Sequence, residues 1–430
     1  MGGDSIIPAA VARPPQDPVA VIGLGRSGLA IARALSRGGV RVVGFDQDPG
    51  IASEVAAGRS PVGDVPDADL EAMFAAGFEV TGRDDRLHEA GAVLICVPTG
   101  TTAAWTPDLG AVNAAAVAIA RRPRPGQLVV LTSPAFPGAT RSVVCPALRS
   151  AKLPPGQDYA VAYAAAATAT AGLNPWVVGG IDAASAERAA GLLSRIGGRV
   201  VRVSSPEAAE LCGLIGEVSA TVSSAFRHEL NALCDRAGID PREVLAAADA
   251  SGPTLAPRFA LGDNWPQPIA ASYWVWAACR HGAAAPLVGL ANEVVRAGPA
   301  RVTRMVVDVL NATGTPVLGS RIALLGLAAD PADGRPPWPG VELLRLLGAK
   351  GAVVTFHDPL VPDLVRAGEP FLLPSHPLTP AYLAAQDCVV FVARRPTSDP
   401  AWVVEHSRRV VDSCDATIGL LAGRERISRA

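Results

Sequence analysis

The chain has 430 residues, 49% hydrophobic and 18% charged, with mean hydropathy +0.28 and formal net charge −2. That length suggests two or three domains. The composition excludes a disordered chain, and the charge leaves no electrostatic footprint for nucleic acid or an anionic membrane. Basic charge is almost all arginine, since the only lysines are Lys152 and Lys350. The seven cysteines are scattered with no CxxC pair, which reads as reduced thiols in a cytoplasmic protein. The six histidines are equally dispersed, so no metal site is expected. Residues 1–18 have no basic start and carry prolines in their apolar run, so a disordered tail is expected rather than a signal peptide. No apolar run reaches the roughly 18–20 residues of a membrane helix.

In chain order, the first element is the most informative. Val19 to Ile22 read as a short strand, followed by Gly23, Gly25 and Gly28 in a GxGxxG turn. Leu29, Ile31, Ala32 and Leu35 form a helical stripe that stops at Gly38-Gly39, and Val40 to Phe45 make a second strand ending in Asp46. Gly23 permits the tight turn, Gly25 lets a pyrophosphate approach the backbone, and Gly28 lets helix and strand pack closely. The helix N-terminus then offers free N–H groups to phosphates. A carboxylate at the end of the second strand accepts from ribose hydroxyls and repels a 2′-phosphate, so NAD(H) is expected over NADP(H). Gly23, Leu24, Gly25, Gly28 and Asp46 are therefore candidate cofactor residues, joined by Val97, Pro98 and Thr99 of the strand-ending segment Gly91–Gly100.

Gly126–Thr140 reads as a strand and a Pro/Gly-rich turn, and the alternation continues to Ser204. A Rossmann-like, doubly wound parallel sheet over 19–204 follows. The period then changes. Ser205 is a candidate N-cap and Pro206 suits the first helical position. Leu211, Leu214, Ile215, Val218, Val222, Phe226, Leu230 and Leu233 mark one face up to Gly238. Some 32 residues give a helix of about 48 Å, a length suited to linking domains or supporting a subunit interface. Helical sequence to residue 313 completes a central region, 205–313. A smaller Rossmann-like α/β domain is expected over 314–430.

This order of segments resembles the UDP-glucose/GDP-mannose dehydrogenase family over nearly the whole chain. The resemblance rests on GLGRSG with Asp46, AGRSPVGD (57–64), CVPT (96–99), PDLGAVNAAAVAIA (107–120) and PGAT (137–140). It continues through SSPEAAEL (204–211), LCDRAGID (233–240) and HDPLVP (357–362). It implies an NAD-binding domain, a dimerisation region of central helices and a C-terminal nucleotide-binding domain. The implied activity is oxidation of the C6 alcohol of a nucleotide-linked hexose to the acid with two NAD, as in polysaccharide biosynthesis. That chemistry uses a thiol, a base and a donor for the oxyanion.

Position by position, the resemblance places Pro266 near the thiol, Ala270 near the following aspartate, and Gly213 and Glu217 at a lysine and an asparagine. Pro134 stands at a threonine and Ala166 at a glutamate, within the uncharged run 162–172. Asp330 stands at a lysine, and Arg335 meets the family arginine only with a slip of register. No cysteine lies between Cys234 and Cys279, so a slip through 255–275 cannot restore the thiol. Cys279 is expected to be a buried structural thiol, Glu217 a solvated or interface carboxylate, and His228 a satisfied surface or interface histidine. No catalytic residue is therefore assigned. The expectation is a homologue that binds NAD(H), with a nucleotide-sugar-like ligand possible, as a scaffold or regulatory pseudo-enzyme. The alternative is altered two-electron chemistry in which Tyr163, Thr132, Ser133 or Glu217 contributes. A homodimer through the central helices is expected, with neither nucleic acid nor membrane as partner.

Overall fold

A computed structural model describes residues 17–429 except 103, 150–154, 157, 167–174, 198, 238, 251–268, 328–338, 363–372, 396, 415, 418–419 and 421. Residues 1–16 of the expected 1–18 tail, the second half of the alanine-rich run, Lys152, Gly238, Pro266, Asp330 and Arg335 lie outside the described residues. The chain divides into two compact units, 1–218 with 272–284, and 219–271 with 285–430.

In the first unit, β1 (Val19–Ile22) leads through α1 (Arg26–Arg37) to β2 (Val42–Phe45), then α2 (Pro49–Ala56), α3 (Asp67–Ala75), β3 (Glu79–Thr81) and β4 (Ala92–Ile95). A small hairpin follows, β5 (Gly100–Thr101) with β6 (Pro107–Asp108). After α4 (Gly110–Arg121) come β7 (Gln127–Leu131), α5 (Cys145–Arg149), β8 (Tyr159–Ala166), β9 (Trp176–Gly180), α6 (Ala183–Leu193) and β10 (Val200–Arg202). These strands, the hairpin apart, form one eight-stranded sheet in the order β10-β9-β8-β7-β4-β1-β2-β3. The strand order reverses at β1, between β2 and β4, which opens a crevice outside their carboxyl ends.

The sheet is mixed, not wholly parallel as the alternation predicts, because β8 and β9 pair antiparallel. Nine residues separate them, too few for the crossover a parallel neighbour requires. One register row crosses the sheet at the crevice: Ile22 opposite Ile95, Ile95 opposite Leu131, and Leu131 opposite Tyr163. Tyr163 thus stands level with the strand ends that precede Gly23 and Cys96.

The long helix α7 (Pro206–Ala237) has the expected 32 residues, and the Ser205 hydroxyl accepts from the Ala208 N–H at 3.3 Å. It is followed by α8 (Pro241–Ala250), α9 (Ile269–Arg280), α10 (Pro286–Arg296) and α11 (Gly298–Asn311). In the second unit β11 (Arg321–Leu325), α12 (Pro339–Gly348), β12 (Val353–His357), α13 (Pro380–Ala384), β13 (Cys388–Phe391), α14 (Pro400–His406), β14 (Val410–Asp412) and β15 (Ile427–Arg429) complete the chain. Its five strands run parallel in the order β12-β11-β13-β14-β15. Alternate residues of β11 and β13 serve opposite faces, as the strand period of two demands. Ile322, Leu324, Cys388 and Val390 join Val306 and Leu347 on one face. Ala323, Leu325, Val389 and Phe391 join Leu383 and Val403 on the other.

Candidate functional site

The turn after β1 tolerates only glycine at two positions. Gly23 has φ +94°, and a Cβ there would lie 2.7 Å from the Cys96 carbonyl oxygen. A Cβ on Gly28 would lie 1.7 Å from the Gly23 carbonyl oxygen, so α1 packs on the turn with no space for a side chain. Gly25 is the N-cap of α1 in extended conformation, with no side-chain cap on the helix. The first N–H groups of α1 are thus left for an anionic group, as the phosphates of a dinucleotide require.

Asp46 is 8% exposed. Its Oδ2 accepts from the Leu24 N–H at 2.8 Å and its Oδ1 from the Asp48 N–H at 2.9 Å. These bonds fix the carboxylate at the end of β2, and each oxygen keeps a lone pair for a sugar hydroxyl. On the opposite side of β1, Val97 is half-buried, Pro98 exposed and Thr99 buried. The Thr99 hydroxyl is buried with no hydrogen-bond partner. An orphaned hydroxyl facing no protein acceptor fits a ligand in this loop. The cradle, the uncapped helix and this hydroxyl together fit a dinucleotide.

Cys96 is a packing residue. Its Sγ lies 3.1 Å from the Thr132 Oγ1, and burial pushes the thiol up to about 12. The Thr132 hydroxyl donates to the Ile95 carbonyl at 2.9 Å, and the Ser133 hydroxyl to the Val97 carbonyl at 2.7 Å. Both hydroxyls are thereby committed to the backbone.

The neighbouring wall is built differently. Ala162–Ala165 of β8 are buried. Gly213 on α7 faces them: a Cβ there would lie 3.2 Å from the Tyr163 hydroxyl and 3.2 Å from the Ala165 Cβ. Tyr163 is 2% exposed, and burial, reinforced by the nearby Glu210 and Glu217 carboxylates, pushes its phenol far above the usual range. A phenol so shifted stays neutral and acts as a hydrogen-bond donor rather than a base. Glu217, expected as a solvated or interface carboxylate, is half-buried and interacts with its surroundings. Pro134 is half-buried, and Ala270 is fully buried at the start of α9.

Three features escape the sequence reading. Glu210, fully buried on α7, accepts from the Gly138 N–H at 2.5 Å, the Thr140 N–H at 2.7 Å and the Thr140 hydroxyl at 2.6 Å. It straps the PGAT turn to the long helix, and burial pushes its carboxyl up despite those three donors. Phe136 of the same turn packs on Trp276 of α9 at 4.4 Å between centroids, and the Tyr273 hydroxyl donates to the Gly100 carbonyl at 2.7 Å. Trp105, in the β5–β6 hairpin, sits at φ +60°, a strained conformation for a bulky residue. The aromatic run SYWVW is the one signal that could have announced this cluster.

Two expectations are corrected. Cys279 is exposed, because it falls on the last turn of α9 beside exposed Arg280. His228 is neither at the surface nor satisfied, being 8% exposed with an unpartnered Nε2. All seven cysteines are free, and among the described residues no group of three or more His, Cys, Asp or Glu could hold a metal ion. No helix among the described residues is long and apolar enough to cross a membrane.

Residues 17–167 match the model of the UDP-glucose/GDP-mannose dehydrogenase family, NAD binding domain. No curated protein matches the chain. Among solved structures, a UDP-glucose dehydrogenase from the hyperthermophilic archaeon Pyrobaculum islandicum superposes with TM-score 0.81 at 22% identity, over 98% of each chain. A UDP-D-ManNAc dehydrogenase from Pyrococcus horikoshii gives 0.80 at 19% identity, over 96% of this chain and 98% of the other. An NDP-N-acetyl-D-galactosaminuronic acid dehydrogenase from Methanosarcina mazei Go1 gives 0.73 at 23%, over 97% and 95%. These likenesses, all under 25% identical, show the fold, and the family-model match covers residues 17–167, which hold the GxGxxG unit and its carboxylate.

Proposed function

We propose that the protein binds NAD(H) over β1 and β4 but does not carry out the four-electron oxidation of a nucleotide-linked hexose, serving instead as a scaffold or regulatory pseudo-enzyme. Gly23, Leu24, Gly25 and Gly28 hold the pyrophosphate side, Asp46 the adenosine ribose, and Val97, Pro98 and Thr99 the nicotinamide side. NAD, when bound, supplies a hydride acceptor. Oxidation to an acid also asks the chain for a nucleophile to trap an aldehyde and a cation or donor to steady its oxyanion.

The observation that carries the reading is the wall at Gly213. No amine can arise from that position, and the Tyr163 hydroxyl and Ala165 methyl stand where its side chain would begin. Neither lysine of the chain occurs on α7 or β8. The chain's own residues thus support binding and orientation of a dinucleotide, and they exclude water from an alanine-lined face. A nucleotide-sugar-like ligand, a homodimer through the central helices, a cytoplasmic setting and a place in polysaccharide or related sugar metabolism belong to the same proposal. Phe226, Leu233, Leu287 and Leu290, all more than half exposed, support the self-association.

A second reading, two-electron oxidation of an alcohol without a covalent intermediate, draws on one observation. The neutral Tyr163 phenol lies under the influence of Glu210 and Glu217, so it could donate to a substrate oxygen. The two are separated by titrating NAD⁺ calorimetrically and following NADH with a panel of UDP- and GDP-hexoses. Binding without NADH is expected. A uronic acid product would overturn the proposal, and an aldehyde or ketone would establish the second reading.

A further inference from the structure

Within the second unit, His228 on α7 and Arg301 on α11 each carry a buried nitrogen that has no partner among the described residues. His228 is more than nine-tenths buried, and its Nε2 has no hydrogen-bond partner. Arg301, half-buried, has an Nη2 that is likewise buried and unpartnered, and its Nη1 makes only a long 3.5 Å bond to the Val294 carbonyl. Among the described residues, the charged groups acting on these two are arginines: Arg301 and Arg227 on His228, and Arg304 on Arg301.

A more deeply buried guanidinium, that of Arg395, is treated in the opposite way. Arg395, with a side chain 5% exposed, donates from Nε and Nη2 to the two oxygens of Asp358 at 2.9 and 2.8 Å. A guanidinium withdrawn from water is stable only when a counter-charge or acceptor replaces the lost hydration. Among the described residues Arg301 has no counter-charge, and its one acceptor is the Val294 carbonyl at 3.5 Å, which leaves Nη2 unsatisfied. The group that would satisfy it must be negative, must accept hydrogen bonds, and must reach a planar guanidinium together with an imidazole N–H.

We propose that Arg301 and His228 form a binding site for an anionic oxygen group, a phosphate or a carboxylate. The Arg301 Nη2 supplies one charge-assisted bond and the His228 Nε2–H a second. The group can arrive on a free phosphate-bearing molecule or as a carboxylate of a second copy of this chain, and both have the same chemistry at this point. The site's residues belong to the second unit and those of the dinucleotide crevice to the first, so its test does not require NAD.

The test uses the full chain, as wild type, Arg301→Met and Arg301→Lys, at constant ionic strength. Inorganic phosphate is titrated while Tm is followed, and sedimentation is measured without phosphate. For a free anion, wild-type Tm should rise by about 5 °C at a hundred-fold excess of phosphate over Kd. Arg301→Lys should keep part of that rise and Arg301→Met should lose it. For a carboxylate of a second copy, Arg301→Met should weaken self-association about ten-fold or more, with no dependence on phosphate. The proposal is overturned if phosphate shifts wild type and Arg301→Met equally and self-association is unchanged. Should Arg301→Met fail to fold, His228→Leu carries the same comparisons.

Discussion

A methyl group at position 28 would collide with the Gly23 carbonyl oxygen at 1.7 Å, a backbone atom that cannot rotate away. Gly28→Ala should therefore separate α1 from the turn. The expected loss is about 1–3 kcal/mol of stability, with at least a ten-fold loss of NAD affinity, because the N–H groups of α1 no longer converge. Urea unfolding and calorimetry check the two effects, and unchanged affinity would mean that the phosphates do not sit on this turn. Positions like this are legible in the sequence because glycine is written there for a backbone reason that spacing reveals. Asp46 is legible for the same reason, as a carboxylate at a fixed distance from the turn. Other residues were not. The environment of His228 depends on which residues of α11 face it, and that of Gly213 on how Tyr163 packs. Neither is encoded in the local pattern that periodicity reads. Cys279 misled because hydrophobic neighbours in WVWAACR suggest burial, whereas the last turn of a helix leaves one side exposed.

The element that opens the first sheet is repeated in the second. Gly23 and Gly326 both have positive φ, at +94° and +79°. The Gly23 N–H bonds the Phe45 carbonyl at 2.8 Å, and the Gly326 N–H the His357 carbonyl at 2.9 Å. Leu24 donates to Asp46 and Leu327 to Asp358, each at 2.8 Å. The two strand–turn units share a backbone device, yet their carboxylates differ in what remains available. Asp46 keeps an edge toward solvent, while Asp358 is fully buried and its free lone pairs are taken by Arg395. The second copy of the device is thus closed, and Arg395 is part of its framework. Arg395→Met should leave a buried carboxylate supported only by the Leu327 and Leu360 N–H groups. The expected cost is about 3–5 kcal/mol, measured as a fall in the unfolding midpoint. The double change to Asp358→Leu and Arg395→Met should recover most of it, since no lone charge is then buried. Non-recovery would mean that packing of the arginine stem, not its charge, holds the turn. The sequence motif HDPLVP points to this turn but not to its partner, 37 residues away along the chain.

Across the molecule, acid should act through groups whose burial differs between folded and unfolded chains. Burial holds His228 at about 4, against an ordinary value of 6.5, with Arg301 and Arg227 adding to the effect. Between those values the unfolded chain binds a proton at this residue that the folded chain does not. Stability therefore rises with pH across the window and falls as pH drops from 6.5 toward 4. The shift corresponds to at most about 3 kcal/mol. Glu210 works in the opposite sense, because its folded value is raised above 4.5. Near that pH the folded chain holds the extra proton, and acid partly restores what His228 loses. Unfolding free energies measured from pH 7.5 to 4.5 in phosphate-free buffer should show the decline in wild type and a much flatter profile in His228→Gln. Equal slopes in both would remove His228 as the source. An anion seated on Arg301 would favour the imidazolium form, raise the folded value of His228 and flatten the wild-type decline. The same titration repeated with phosphate therefore links acid stability to the vacant hydrogen bonds of two residues on neighbouring helices.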